Sequence, residues 1–94
     1  MATYQQGVFA ISVAADMCRM EVQNLRVYER RGLLAPDRTA GGTRLYSQAD
    51  VDTLIRIREL LAEGLNLAGI SRVLALEAQV RSLRTQLERR GLRG

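Results

Sequence analysis

The 94-residue chain contains no histidine, no tryptophan, no lysine and one cysteine, Cys18. A single thiol cannot close an intramolecular disulfide. Without histidine or a second cysteine, none of the common zinc-finger ligand spacings can be assembled. The expected metal and cofactor content is therefore none. A catalytic constellation is missing as well: there is no nucleophile elbow, P-loop or glycine-rich dinucleotide turn. An enzyme is not expected. No apolar run approaches the roughly 18 residues that read as a bilayer span. The N-terminus shows no basic start followed by a long apolar stretch, so neither membrane association nor a signal peptide is expected. The lone cysteine fits a reducing compartment, and the expected location is the cytoplasm, at the nucleoid if its partner is DNA.

What remains is a chain with 47% hydrophobic residues and a net charge of +4. Ninety-four residues suit one small domain with an appended helix. An excess of positive charge favours an acidic partner such as nucleic acid. Its distribution matters more. Residues 1–63 hold eight arginines and eight acids, so they sum to zero. Residues 64–94 hold six arginines and two acids, which supply the whole +4. DNA binding must then be argued from where particular arginines fall.

Residues 1–8 carry no periodic pattern and read as a flexible tail. Val8-Phe9-Ala10-Ile11 can form a short strand. Ser12 is a suitable N-cap for a first helix whose apolar positions are Val13, Ala14, Met17 and Cys18. Cys18 lies on that stripe and reads as a small buried hydrophobe. A second helix begins near Glu21, with Val22, Leu25 and Tyr28 on one face and Gly32 as its C-cap. Two short helices across a tight turn read as a helix-turn-helix. Pro36 leaves the helix, and residues 37–46 read as a hairpin with Ala40-Gly41-Gly42 at its tip. Ser47 and Asp50 resemble a capping box, which leaves Asp50 and Asp52 as helix-start acids. The helix they open runs to Gly64, and Asn66 caps the next.

Three constellations bear on function. The second helix offers Gln23, Asn24, Arg26, Val27 and Arg30 away from its apolar face. Glutamine and asparagine pair with adenine edges, arginine with guanine or phosphate, and valine with a thymine methyl. The same face also suits an ordinary solvated helix. The hairpin carries Arg38 and Arg44, which could reach phosphates as a wing or simply be solvated on a connecting turn. Val73, Leu76, Val80, Leu83 and Leu87 follow 3-4-3-4 spacing, a heptad seam. No other helix of the chain is left to cover it, so the seam reads as a dimerisation surface; folding back over the head is the alternative. Gly91 is the expected end of this helix. The fold class is mainly α: a winged helix-turn-helix head with a small β-hairpin wing and a C-terminal coiled-coil helix. The domains are a tail (1–8), a DNA-binding head (9–65) and a dimerisation segment (66–91).

Asn24-Leu25-Arg26-Val27-Tyr28-Glu29, Arg31-Gly32-Leu33-Leu34-Ala35-Pro36 and Arg44-Leu45-Tyr46-Ser47 together resemble the MerR family of bacterial regulators. Residues 11–15, 37–42, Ser47 and 64–70 resemble its HspR-like heat-shock repressor branch. The resemblance covers about residues 9–78. It implies an antiparallel dimer coil and a repressor that binds double-stranded DNA at an inverted-repeat operator. It places Gln23, Asn24, Arg26 and Val27 on the recognition helix, Tyr28 near the phosphates, and Arg44 and Tyr46 on the wing. It further implies a DnaK-type chaperone as corepressor. Metal-sensing members use cysteines around the dimerisation helix, and none stands there in this sequence; drug-sensing members use a large C-terminal effector domain, and no small-molecule effector domain is expected here. Two departures stand out: Arg19 occupies a turn position where glycine is usual, and Glu21 a cap where serine is usual. Other function classes compatible with the pattern are a coiled-coil adaptor that binds protein, and an excisionase-like architectural DNA-binding protein.

Overall fold

The computed structural model describes residues 3–93. Residues through Glu59 cluster into one compact unit, and those from Leu60 onward into a second. The expected division after residue 65 thus falls inside the second unit. The turn that ends the third helix bonds back onto Leu60 and Leu61.

The first unit opens with α1 (Ile11–Cys18) and α2 (Val22–Arg30), which pack on each other. Two short strands come next, β1 (Asp37–Arg38) and β2 (Arg44–Leu45), then α3 (Gln48–Ala62), which runs across the division between units. The buried side chains Ala14, Ala15, Cys18, Leu25, Tyr28, Leu34, Tyr46, Val51, Leu54 and Ile57 make its core. Their spacing on α3 (51, 54, 57) is the one-face repeat of an amphipathic helix. Arg58 crosses to α1 and donates to the Cys18 carbonyl at 2.6 Å. Cys18 itself is fully buried, and burial pushes its thiol pKa up, as befits a packing residue.

Three helices end in the same way. A left-handed residue stands at the cap or just past it, and two consecutive amides bond back to carbonyls within the helix. After α2, Gly32 and Leu33 donate to Glu29 and Tyr28; after α3, Gly64 and Leu65 donate to Leu61 and Leu60. After α1, Arg19 and Met20 donate to Asp16 and Ala15. Gly32 and Gly64 take the positive φ without a steric penalty, but Arg19 adopts φ 56°. A left-handed conformation costs an L-residue roughly 1–2 kcal/mol. The turn geometry is therefore the one a glycine serves, and this chain builds it with arginine.

Helix starts are less uniform. Ser47 and Asp50 form the expected capping box: the Asp50 amide donates to Ser47 Oγ at 3.0 Å and the Ser47 amide to Asp50 Oδ2 at 2.9 Å. Asn66 Oδ1 accepts from the Gly69 amide at 2.8 Å, as expected of a cap. The cap of α1 is Ala10 and not Ser12, so the helix starts earlier than the sequence suggests, and Ala10 makes no side-chain bond. Glu21 caps α2 in extended conformation, again with no side-chain bond.

The N-terminal segment differs most from expectation. Residues 3–8, read as a flexible tail, are hydrogen-bonded to the wing and α3; Met1 and Ala2 lie outside the described residues. The Tyr4 hydroxyl donates to Asp52 at 2.5 Å and the Ala49 amide to the Tyr4 carbonyl at 3.1 Å. The Gly7 amide donates to Asp37 at 2.8 Å. A Cβ at Gly7 would collide with the Leu45 carbonyl oxygen and the Asp37 side chain, so only glycine permits this approach. The expected strand at Val8–Ile11 reduces to one bridge, Phe9 with Tyr46, because α1 already begins at Ile11.

In the second unit, the last turn of α3 leads to α4 (Leu67–Arg93), one continuous helix of 27 residues, about 40 Å long. It passes through Gly91, where the sequence pattern predicts its end. Ile70 is fully buried, whereas Leu76, Val80, Leu83 and Leu87 are 45–64% exposed. Val73, the first position of the heptad seam, is half-buried.

Candidate nucleic-acid interface

The polar face of α2 is set by its sequence. Leu25 and Tyr28 are buried, Val22 is half-buried, and Gln23, Asn24, Arg26 and Arg30 are exposed between them. Val27 is half-buried at the edge of the exposed face. No ion pair engages Arg26 or Arg30 among the described residues, so both guanidinium groups face solvent uncommitted. A hydrogen-bonding face on a helix held by its apolar side is the form in which side chains reach base edges.

The wing is held beside this helix by one carboxylate. Glu29, on the last turn of α2, accepts from Arg38 Nη2 at 2.7 Å through Oε2 and from Arg44 Nε through Oε1. Arg38 and Arg44 are cross-strand partners in the antiparallel pairing of β1 and β2. A single side chain of α2 thereby binds both strands. Arg38 also donates from Nη1 to the Gly42 carbonyl at 3.0 Å, tying the tip to the base of the hairpin. The tip is closed by Thr39, whose amide donates to Thr43 and whose hydroxyl accepts the Thr43 amide; Gly42 turns with φ 86°. Burial alone would raise the Glu29 carboxyl, but hydrogen bonds from Arg44 and Arg38 and their charges outweigh it. The pKa is held below the usual carboxylate range, and the group is ionised at neutral pH.

Two residues expected at the interface are elsewhere. Tyr46 is fully buried, its hydroxyl has no hydrogen-bond partner, and burial, then the Glu29 charge, push its pKa up. Its backbone accounts for this: the carbonyl accepts from Val8 and Phe9 and the amide donates to Phe9, which turns the side chain into the core. Tyr28 is 6% exposed and belongs to the apolar side of α2. Both rings belong to the buried core of the first unit. The structure leaves Gln23, Asn24, Arg26 and Arg30 exposed on α2 and ties Arg38 and Arg44 to Glu29 of the same helix. The residue that sequence reasoning missed is Glu29. Its signal was present: an acid on α2, ahead of a hairpin whose only basic residues are Arg38 and Arg44.

Comparison with known proteins matches residues 9–77 to the MerR helix-turn-helix family of regulatory proteins. The chain belongs to the MerR family. The putative heat shock protein HspR of Streptomyces coelicolor is 48% identical over 85 residues, covering 89% of this chain and 56% of HspR. The transcriptional regulator GlnR of Bacillus cereus is 41% identical over 70 residues, covering 74% of this chain and 54% of GlnR. The chain thus spans a little over half the length of these relatives. A crystal structure of a MerR-family transcriptional regulator from Bacillus cereus superposes with a TM-score of 0.68 at 31% identity, over 85% of this chain and 64% of that one. The MerR assignment and its HspR-like branch, expected from the motifs, are borne out, as is the mainly helical fold with a small hairpin and a long C-terminal helix. Among the described residues, no helix is long and apolar enough to cross a membrane.

Proposed function

We propose that this MerR-family chain is a sequence-specific DNA-binding transcription regulator, a repressor that grips an inverted-repeat operator as a homodimer. The observation that carries the reading is the exposed Gln23, Asn24, Arg26 and Arg30 face of α2, flanked by a wing that Glu29 fastens to the same helix. In this reading α2 enters the major groove, with Asn24 and Gln23 reading base edges. Arg26 and Arg30 supply phosphate or guanine contacts, and the wing arginines lie along the backbone. The dimer reading rests on the exposed seam of α4, with the antiparallel orientation taken from the family resemblance.

The test is binding to duplex DNA across a salt series. Log affinity should fall linearly with log salt, and one selected sequence should bind well above random DNA. Asn24→Ala should cost roughly 1–3 kcal/mol on the selected site and relax specificity at one base position. Arg30→Ala should weaken selected and random duplexes alike and flatten the salt slope. A chain that ignores duplex DNA at low salt rules out the regulator reading. Identical behaviour of the two variants on both DNAs rules out the division of roles.

A further inference from the structure

We propose that Glu29 is a specificity-determining residue: by clamping Arg38 and Arg44 it withholds the wing from sequence-independent phosphate binding. The proposal rests on the DNA-binding reading above and adds a role for a residue that faces no base.

The geometry carries it. The Glu29 carboxylate uses both oxygens, one on each wing arginine, and its side chain is only 19% exposed. The arginines are more open, at 46% for Arg38 and 29% for Arg44. Two cations and one anion leave the triad with a net charge of +1. An arginine whose guanidinium is engaged by a carboxylate must give up that bond to reach a phosphate in full. On a correctly seated site the helix contacts hold the head in place, and the guanidinium N–H groups not taken by Glu29 or the Gly42 carbonyl can still meet the backbone. On random DNA no base contacts exist, and binding depends on phosphate neutralisation alone. The clamp therefore penalises random DNA more than the selected site. It also fixes the wing to the helix that reads the bases, so the two elements approach DNA in one register. Arg38 strengthens this by holding the Gly42 carbonyl at the tip, which links the position of the carboxylate to that of the whole hairpin.

The experiment compares the full chain with Glu29→Gln on a random-sequence 30-base-pair duplex and on a selected duplex, each over 50–200 mM NaCl. The glutamine keeps the size but releases one unit of cationic charge. On random DNA the log–log salt slope should steepen by about 0.9 per head, which is about a threefold larger affinity loss across that range. Random-duplex binding at 50 mM should tighten several-fold, and the ratio of selected to random affinity should fall. A merely structural role would weaken both duplexes equally with an unchanged slope, and that result overturns the proposal. If Glu29→Gln does not fold, Glu29→Asp replaces it: the shorter carboxylate reaches one arginine only. It should lower the selected-to-random ratio in the same direction by a smaller step, and an unchanged ratio overturns the proposal. Wild-type protein that binds neither duplex defeats the regulator reading itself, whereas wild-type binding with an unaltered Glu29→Gln slope defeats only this inference.

Discussion

Leu83→Asp should give a monomeric chain that no longer holds a full inverted repeat. Leu83 is 57% exposed, within a stripe continued by Leu76, Val80 and Leu87. Each such side chain, once buried, contributes roughly 1.5–3 kcal/mol. Pairing two stripes therefore yields a favourable association after the several kcal/mol lost in restricting two chains. Two carboxylates placed in that seam would be buried without partners, at a cost larger than the seam can offset. In the proposed regulator, the dimer joins two heads on one operator. Splitting it should remove the roughly 10²–10⁴-fold gain of bivalent binding, while each head keeps its own weak affinity for a half-site. Sedimentation and circular dichroism check this: the variant should sediment as a monomer with its helix content retained. Wild-type protein that is monomeric at tens of micromolar, together with undiminished operator binding by the variant, would refute it.

Leu54→Ala should unfold much of the head near physiological temperature. Leu54 is fully buried on α3, and such a truncation costs about 2–5 kcal/mol through lost transfer energy and the cavity left behind. A domain of this size holds a total stability of only about 5–10 kcal/mol. The melting temperature should fall by at least about 10 °C. Val13→Ala, on the outer face of α1 at 46% exposure, is the matched control and should change stability by less than about 0.5 kcal/mol. Equal melting temperatures for the two variants would mean that Leu54 does not anchor the core.

Much of this architecture was legible because local signals coincide with it. The Ser47 and Asp50 box, the Asn66 cap and the glycines at 32 and 64 act on their own neighbours within the chain, so sequence alone locates the helix ends. The buried positions of α2 and α3 repeat at helical spacing for the same reason. What was not legible depends on partners far apart in sequence. Tyr46 reads as a surface residue of a hairpin until Phe9 pairs with its backbone and turns it inward. The segment around Tyr4 and Gly7 has no periodicity, and its order comes from Asp52 and Asp37, 48 and 30 residues away. Glu29 is visible as an acid on a helix, but its meaning depends on Arg38 and Arg44 sharing one end of a hairpin. Ser12 was a sound cap by residue type; Ala10 takes the position because the bridge at Phe9 already sets the backbone entering α1.

The pairing of Phe9 with Tyr46 also governs how the wing breathes. The Tyr46 amide is bonded to the Phe9 carbonyl at 2.7 Å, and the Val8 and Phe9 amides share the Tyr46 carbonyl. These bonds close a loop that encloses both helices of the helix-turn-helix, so they form only after that intervening chain is ordered. Solvent deuterium can reach the Tyr46 amide only when the N-terminal segment lifts away. Its exchange rate should therefore report opening of the segment, while the Gly42 amide, bonded locally at the tip, exchanges through fraying of the hairpin alone. Gly7→Ala, which forces the segment off Leu45, should accelerate exchange at Tyr46 by an order of magnitude or more and leave Gly42 near its original rate. Equal acceleration at both amides would show instead that the hairpin and the N-terminal segment open as one cooperative unit.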